Sequence, residues 1–343
     1  MKKNYDAVDL VKFIASIFVV SIHASALYDI DPMANALICE GIARLAVPFF
    51  FVASAFFYLK ELDKHNDIGV LKKHCRRLIT LYMAWFIVSL PITVFNRIVN
   101  SEYSFFVTML RFIKSFFVTS TFSGSWFITS CLFCSVLYWF LEKLPERKRK
   151  VLTILLSVLA YAIPVLTSGY GRLMEIWGIQ DVYEKVYFYF ATPYLSIIVG
   201  IPYFALARYF AREKHKSLSK GVGITGFLLT AVLLLTEVYL TNINGLTTAT
   251  DCYWMLFPCT FFLFSLAVSS TLVIPRAKNL RTASTIIYFS QFIWLFCLEF
   301  AEWALKIVIP WHYKFLIALA LCFAAAYLLP KLQKRFKLLK YFY

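Results

Sequence analysis

Two side chains near the amino terminus, Lys12 and His23, have types and a spacing that suit chemistry on a membrane helix. Their separation is close to three full helical turns, so both lie on one face, about 16 Å apart along the axis. Ser16 falls on the same stripe. Imidazole can exchange a proton near neutral pH, which makes His23 a candidate general base. A lysine that extends to the inner membrane surface and an interior histidine bonded to a neighbour would give the same pattern.

The next apolar run contains a second ionisable candidate, Arg44, followed by Pro48. An arginine in a membrane helix keeps its proton, so it must face protein or water. A proline inside such a helix frees a backbone carbonyl, which neighbours or water must satisfy. We therefore predict a bent second span that lines a hydrated cavity beside the first span.

The composition identifies the elements that carry these residues as membrane helices. Of the 343 residues, 61% are hydrophobic and only 16% are charged, whereas a soluble domain has roughly a quarter of its residues charged. Apolar runs long enough to cross a bilayer recur along the chain. The sequence predicts an all-α polytopic membrane protein, with residues 1–343 as one domain of about ten transmembrane helices: 7–27, 38–58, 78–98, 125–141, 151–167, 187–207, 221–241, 252–274, 283–304 and 313–330.

The distribution of basic residues predicts the orientation of these helices. Of the 35 Lys and Arg residues, 26 lie in the termini and loops of one side and seven on the other. The positive-inside rule then places both termini in the cytoplasm, in the inner membrane of a bacterium. Because the net charge of +16 follows from these loops, we expect no nucleic-acid partner.

Residues 102–118 have phenylalanines at helical spacing, which predicts a helix that lies in the outer membrane interface. This helix would serve either as a lid over an active site or as a structural skirt.

The sequence offers no cluster of metal ligands. The five histidines are scattered, and most of the eight cysteines lie in apolar runs, so we expect no metal site.

Five short segments spread along the chain form a recognisable set of motifs. They are Asp9-Leu-Val-Lys12 with His23; Arg44-Leu-Ala-Val-Pro48 through Ser54-Ala55; Lys72-Lys73-His74-Cys75-Arg76-Arg77; Ser125-Trp126-Phe127; and Ser284-Thr285-Ile286-Ile287-Tyr288. In this order they resemble an Asp-x-x-Arg-x(10)-His pattern, a run around Arg and Pro, a basic stretch, a Trp-Phe pair and a Ser-x-x-Ile-Tyr segment. Together these motifs resemble those of the acyltransferase-3 family of bacterial integral membrane O-acyltransferases, and the resemblance covers nearly the full chain.

The sequence departs from the family pattern at four positions. Lys12 replaces the commoner arginine and loses its bidentate fork, and Ala55 replaces a glycine. Ser125 and Gln291 stand where histidines are common. Since neither can accept a proton as imidazole does, His23 carries the catalytic hypothesis almost alone.

The resemblance implies an acyl-coenzyme A donor, most simply acetyl-coenzyme A, which acts as a substrate and not as a permanently bound cofactor. The acceptor would be a hydroxyl of an extracytoplasmic glycan or lipid-linked molecule. His23 would act as general base or as a transient acyl carrier, and Arg44 would stabilise the oxyanion or orient the acceptor. Lys12 would complete the catalytic set and contact the donor at its pyrophosphate or its flexible arm. The expected roles of the remaining residues are binding of the donor phosphates (Lys72, Lys73, Arg76, Arg77) and substrate binding (Ser54, Trp126).

A transporter or flippase for a glycan or another small polar solute is the alternative. The stripe of polar residues on the first span and the predicted bend in the second span would also suit a translocation path. The chain has no detectable inverted repeat, a feature of many secondary transporters. Saturable binding of coenzyme A would distinguish the two functions.

Overall fold

The computed structural model describes residues 5–65, 67–95, 104–190, 192–212 and 218–343, and these residues form helices and turns without a β-strand. Short 3-10 turns cover Ile42–Leu45, Pro193–Leu195 and Lys337–Phe342. The α-helices, in chain order, are α1 (Asp6–His23), α2 (Pro32–Ile38), α3 (Ala46–His65), α4 (Ile68–Val94), α5 (Phe105–Val118), α6 (Trp126–Glu142), α7 (Glu146–Leu166), α8 (Gly171–Ile176), α9 (Gln180–Phe190), α10 (Gly200–Ala211), α11 (Lys220–Ile243), α12 (Leu256–Ser269), α13 (Ala277–Leu305) and α14 (Trp311–Leu332).

The all-helical, multi-pass prediction is confirmed, whereas the count of ten spans stays a prediction. Within the described residues six helical segments are long and apolar enough to cross a membrane: Pro32–His65, Ile68–Val94, Glu146–Leu166, Lys220–Ile243, Ala277–Leu305 and Trp311–Leu332. A bent pair, Glu184–Leu195 with Gly200–Ala211, raises this to seven. Helix α1 carries three charged residues, and α6 and α12 have 17 and 14 residues, so these three are more polar or shorter than a typical span. The end of the predicted span 78–98 lies outside the described residues.

The chain forms two compact units that interleave in sequence. The first contains Met1–Phe49, Ser217–Leu240 and Pro258–Tyr343, and the second contains Phe50–Lys216 and Thr241–Phe257. In the first unit α1 packs along α13 and touches α14. The core between these three helices is a cluster of buried apolar residues: Val20, Ala24, Ile287, Leu295, Ala318 and Cys322.

Helices α11 and α12 approach each other closely in the first unit because two glycines lie at their interface. A Cβ atom at Gly226 would lie 2.3 Å from the ring of Phe262, and one at Gly223 would lie 2.7 Å from the side chain of Leu266. Small residues at such positions let membrane helices pack backbone to side chain without a gap.

In the second unit α6 packs against α4, α5, α7 and α10. Helix α5 corresponds to the predicted interfacial helix, of which residues 102 and 103 lie outside the described residues. Its phenylalanines Phe105, Phe106 and Phe117 are more than 70% exposed, while Thr108 and Ser115 are buried against the unit. The apolar face is therefore the outer one, as expected of a helix whose surroundings are lipid.

The second predicted span is interrupted, and the reason differs from the expected one. The chain passes from α2 through the 3-10 turn Ile42–Leu45 into α3, so Arg44 lies in that turn and not inside a continuous helix. Pro48 is the third residue of α3. The amide hydrogen that proline lacks has no partner in the first turn of any helix, so Pro48 fits there without bending α3.

Candidate functional site

Helix α1 ends at His23 in a defined backbone motif. Ser25 adopts a left-handed conformation with φ of 46°. The amide of Ala26 donates to the carbonyl of Ser21 at 3.1 Å, and that of Ser25 donates to Ile22 at 3.3 Å. This pair of bonds is the Schellman arrangement, which satisfies the last carbonyls of a helix. His23 is consequently the last helical residue and has a fixed backbone.

The side chain of His23, at the carboxyl-terminal end of α1, is exposed at the surface of the described chain. Its ring packs edge-on against Phe292 of α13, with the ring centroids 4.7 Å apart. Within the part of the chain that the structure describes, no side chain is hydrogen-bonded to this ring. The absence of a hydrogen-bond partner among the described residues favours an imidazole available to a substrate over a satisfied interior histidine.

Arg44 is the charged neighbour of His23 in the first unit. It is half-buried, and its guanidinium is close enough to interact electrostatically with the imidazole. The 3-10 turn that carries it packs against α1. The sequence predicted only that the span carrying Arg44 lines a cavity beside the first span, whereas the fold packs the turn that carries Arg44 directly against α1.

The predicted polar stripe along α1 is incomplete. Lys12 is half-buried, but Ser16 is fully buried, and its hydroxyl donates to the carbonyl of Phe13 at 2.7 Å. Because that hydroxyl is used within its own helix, Ser16 does not extend the stripe from Lys12 to His23.

Arg281 of α13 is a residue that the sequence analysis missed. Its Nε and Nη2 atoms donate to the two carboxylate oxygens of Asp9 at 2.9 and 2.7 Å. The side chain of Asp9 is only 3% exposed. A carboxylate inside an apolar helix requires a cationic partner, and this requirement was the one available signal. The ion pair fixes α1 against α13 near the amino-terminal end of α1, whereas His23 packs on α13 at the other end.

The basic stretch before span 3 is helical and not a loop, because α4 begins at Ile68. The exposed cations on the first turns of this helix are Lys72, Lys73, Arg76 and Arg77. Their spacing puts them on one side of α4. His74 is half-buried and stacks on Tyr58 with the ring centroids 4.6 Å apart, so it faces the protein. We call the four exposed cations the α4 cationic face.

The two residues expected to bind substrate, Ser54 and Trp126, lie in the second unit. Trp126 is the first residue of α6 and packs against Phe51, with the ring centroids 5.9 Å apart. Ser54 lies on α3 and is hydrogen-bonded to the thiol of Cys131. Both side chains are partly exposed.

Ser125 and Gln291, which replace family histidines, are both fully buried. The hydroxyl oxygen of Ser125 accepts the amides of Thr121 and Phe122 at 3.0 and 3.3 Å. It therefore holds the turn that precedes α6. Gln291 lies on α13 in the first unit, and its amide donates to the carbonyl of Tyr288 at 2.8 Å. Neither side chain replaces imidazole chemistry.

Among the described residues no three His, Cys, Asp or Glu side chains converge as metal ligands. The chemistry that the first unit offers is instead an open imidazole with a guanidinium beside it. This combination can accept a proton from a hydroxyl and stabilise negative charge that develops on a neighbouring oxygen.

Comparison with known proteins places this geometry in context. A family model described as an acyltransferase domain matches residues 5–330. Two curated proteins of Enterococcus faecalis, each named amino-acid racemase, are 23% identical to the chain over 190 and 277 residues. These matches cover 55% and 77% of this chain but only 26% and 37% of the relatives, so the chain spans well under half of their length. No solved structure matches.

Proposed function

The chain belongs to the family of acyltransferase domains whose model matches residues 5–330, and we propose that it transfers an acyl group, in the simplest case acetyl, from cytoplasmic acyl-coenzyme A. The acceptor is a hydroxyl of an extracytoplasmic glycan or lipid-linked molecule. The observation that carries this proposal is the open imidazole of His23 with Arg44 beside it in the same compact unit.

The proposed chemistry follows from these two side chains. His23 takes the proton of the acceptor hydroxyl as its oxygen attacks the thioester carbonyl. Arg44 stabilises the resulting oxyanion. The carbon–sulfur bond then breaks, and the coenzyme A thiolate leaves and takes the proton from the His23 imidazolium. A transient acyl-histidine, formed with loss of the thiolate and then attacked by the hydroxyl, gives the same products.

The donor site in this proposal is the α4 cationic face. Four exposed cations on the first turns of one helix provide the electrostatic attraction that the phosphates of coenzyme A require. In the same proposal Lys12 contacts the donor near its pyrophosphate. Trp126 and Ser54, which are partly exposed in the second unit, contact the substrate. The protein lies in the inner membrane of a bacterium, with the α4 cationic face on the cytoplasmic side.

The first test separates chemistry from donor binding. We expect His23→Ala to lower acyl transfer by about two to four orders of magnitude, the range for loss of a general base. Donor affinity should not change, and the variant should fold because His23 is exposed. Transfer is measured as the acetyl content of the cell envelope in cells that express each variant. His65→Ala, another exposed histidine, is the control. Full activity of His23→Ala would contradict the catalytic assignment.

The second test concerns the donor site. Isothermal titration of acetyl-coenzyme A into the purified protein should show binding that weakens in Arg76→Ala/Arg77→Ala and at higher salt. The matched control is Arg147→Ala/Lys148→Ala, which removes two exposed cations from α7. If the folded protein binds neither acetyl- nor succinyl-coenzyme A, acyl transfer is wrong and a transporter becomes the better explanation.

A further inference from the structure

Gln291 carries a buried polar atom that the fold leaves without a partner. The side chain is fully buried, and its Nε2 atom donates to the carbonyl of Tyr288. The Oε1 atom on the other side of the amide accepts no hydrogen bond from the described residues. Such an acceptor costs about 1–3 kcal/mol when it stays unsatisfied. The position therefore requires a donor that the described chain does not supply.

Trp294 lies three residues further along α13 and carries a buried donor that lacks an acceptor. Its indole Nε1–H is buried and donates to no acceptor among the described residues. Residues three apart on a helix have Cβ atoms about 5–6 Å apart. The two side chains therefore leave α13 on the same face.

The pair lies on the segment of α13 that packs against the end of α1. Phe292, between the two residues in sequence, packs directly on the His23 ring. Trp294 packs on the cluster that contains Val20 of α1 and Ala24, the residue that follows His23. All of these residues belong to the first unit.

The chemistry of the two atoms selects the ligand. A carboxylate or phosphate offers no donor to the Oε1 atom of Gln291, and an ammonium group offers no acceptor to the indole N–H of Trp294. A hydroxyl group satisfies both, because it donates one bond and accepts another. Trp294 is also partly exposed, so its ring can lie against the carbon face of a sugar-like molecule.

We infer that Gln291 and Trp294 form a hydroxyl-binding pair that holds the acyl acceptor next to His23. This inference rests on the proposed acyl transfer and names the residues that position its acceptor. The hydroxyl donates to the Gln291 oxygen and accepts from the Trp294 indole. Gln291 and Trp294 are positioning residues and take no part in the transfer of the proton.

The test measures binding directly and does not depend on turnover. Glycerol, N-acetylglucosamine and L-serine serve as hydroxyl probes, and saturation-transfer NMR follows their binding to the purified full-length protein. We expect at least one probe to bind, and Gln291→Leu and Trp294→Phe each to weaken it about tenfold, the effect of losing one good hydrogen bond. Trp303→Phe removes an indole N–H from the same helix, at a residue that is 75% exposed, and should change nothing.

Two results would overturn the inference. One is the absence of binding of every probe to the wild-type protein. The other is unchanged probe binding in both variants together with a lower melting temperature, since the pair would then hold a structural water. If Gln291→Leu does not fold, Gln291→Asn replaces it in the test, because the shorter side chain keeps the amide but moves its oxygen away from the ligand. Titration of acetyl-coenzyme A in the same samples tests the proposed function separately, so the two failures are distinguishable.

Discussion

At the residue scale, the two partners of the ion pair between α1 and α13 are unequally buried. Asp9 is 3% exposed, whereas Arg281 is 52% exposed. A guanidinium that loses its partner there can turn to water. A carboxylate that loses its partner stays in an apolar environment and is left uncompensated.

This asymmetry predicts unequal effects of mutation. We expect Arg281→Ala to destabilise the first unit by about 3–5 kcal/mol, the range for breaking a buried pair, and Asp9→Asn to cost clearly less. Thermal unfolding of the purified protein measures both. Lys278→Ala, an exposed lysine on the same helix, is the control. Equal melting temperatures of Arg281→Ala and the wild type would contradict the proposed role of this ion pair.

At the scale of elements, a charged cluster joins four helices of the second unit. Arg208 of α10 donates to both oxygens of Asp63 on α3 at 2.7 and 2.6 Å. It also donates to Glu142 at the end of α6 at 3.1 Å. Arg149 of α7 pairs with the same glutamate at 2.9 Å. Because these side chains are largely shielded, their geometry links the helix ends more strongly than surface pairs do.

The cluster predicts a contrast with an exposed pair of the same unit. Arg208→Ala removes a side chain that is 15% exposed and should cost several kcal/mol. Lys64→Ala breaks a pair with Glu61 whose side chains are 57% and 53% exposed, and should cost at most about 1 kcal/mol. Arg208→Lys should fall between them, because lysine lacks the bidentate fork. Chemical denaturation ranks the three variants. The interpretation fails if Arg208→Ala and Lys64→Ala are equally stable.

At the scale of the whole molecule, orientation is the prediction with the broadest consequences. The uneven division of the basic residues, 26 on one side and seven on the other, favours cytoplasmic termini, because translocating short basic loops is unfavourable. That orientation would put the α4 cationic face on the side where acyl-coenzyme A is available.

Reporter fusions test the orientation directly. Green fluorescent protein fused after Tyr343 should fluoresce, and alkaline phosphatase at the same position should be inactive. Alkaline phosphatase inserted after Lys306, in the turn between α13 and α14, should be active. The opposite pattern at both positions would show that the topology is inverted, with the α4 cationic face outside the cytoplasm.

The sequence by itself determined the helical, membrane-embedded character of the protein, because hydropathy is a local property of each segment. It also determined that Lys12 and His23 share one face of α1, since helix geometry is fixed. The cations of the α4 face were recognised in the same way, although their place on a helix was not.

Only the tertiary structure decided which distant groups meet. Asp9 finds Arg281 across 272 positions of the chain, and no local pattern encodes that partner. The structure also showed that Arg44 lies in a 3-10 turn and that His23 has no hydrogen-bond partner among the described residues. The unsatisfied atoms of Gln291 and Trp294 could not be recognised from the sequence, because such an atom is defined by the packing around it. Local periodicity specifies elements, whereas satisfied and unsatisfied polar groups arise only when elements far apart in sequence pack together.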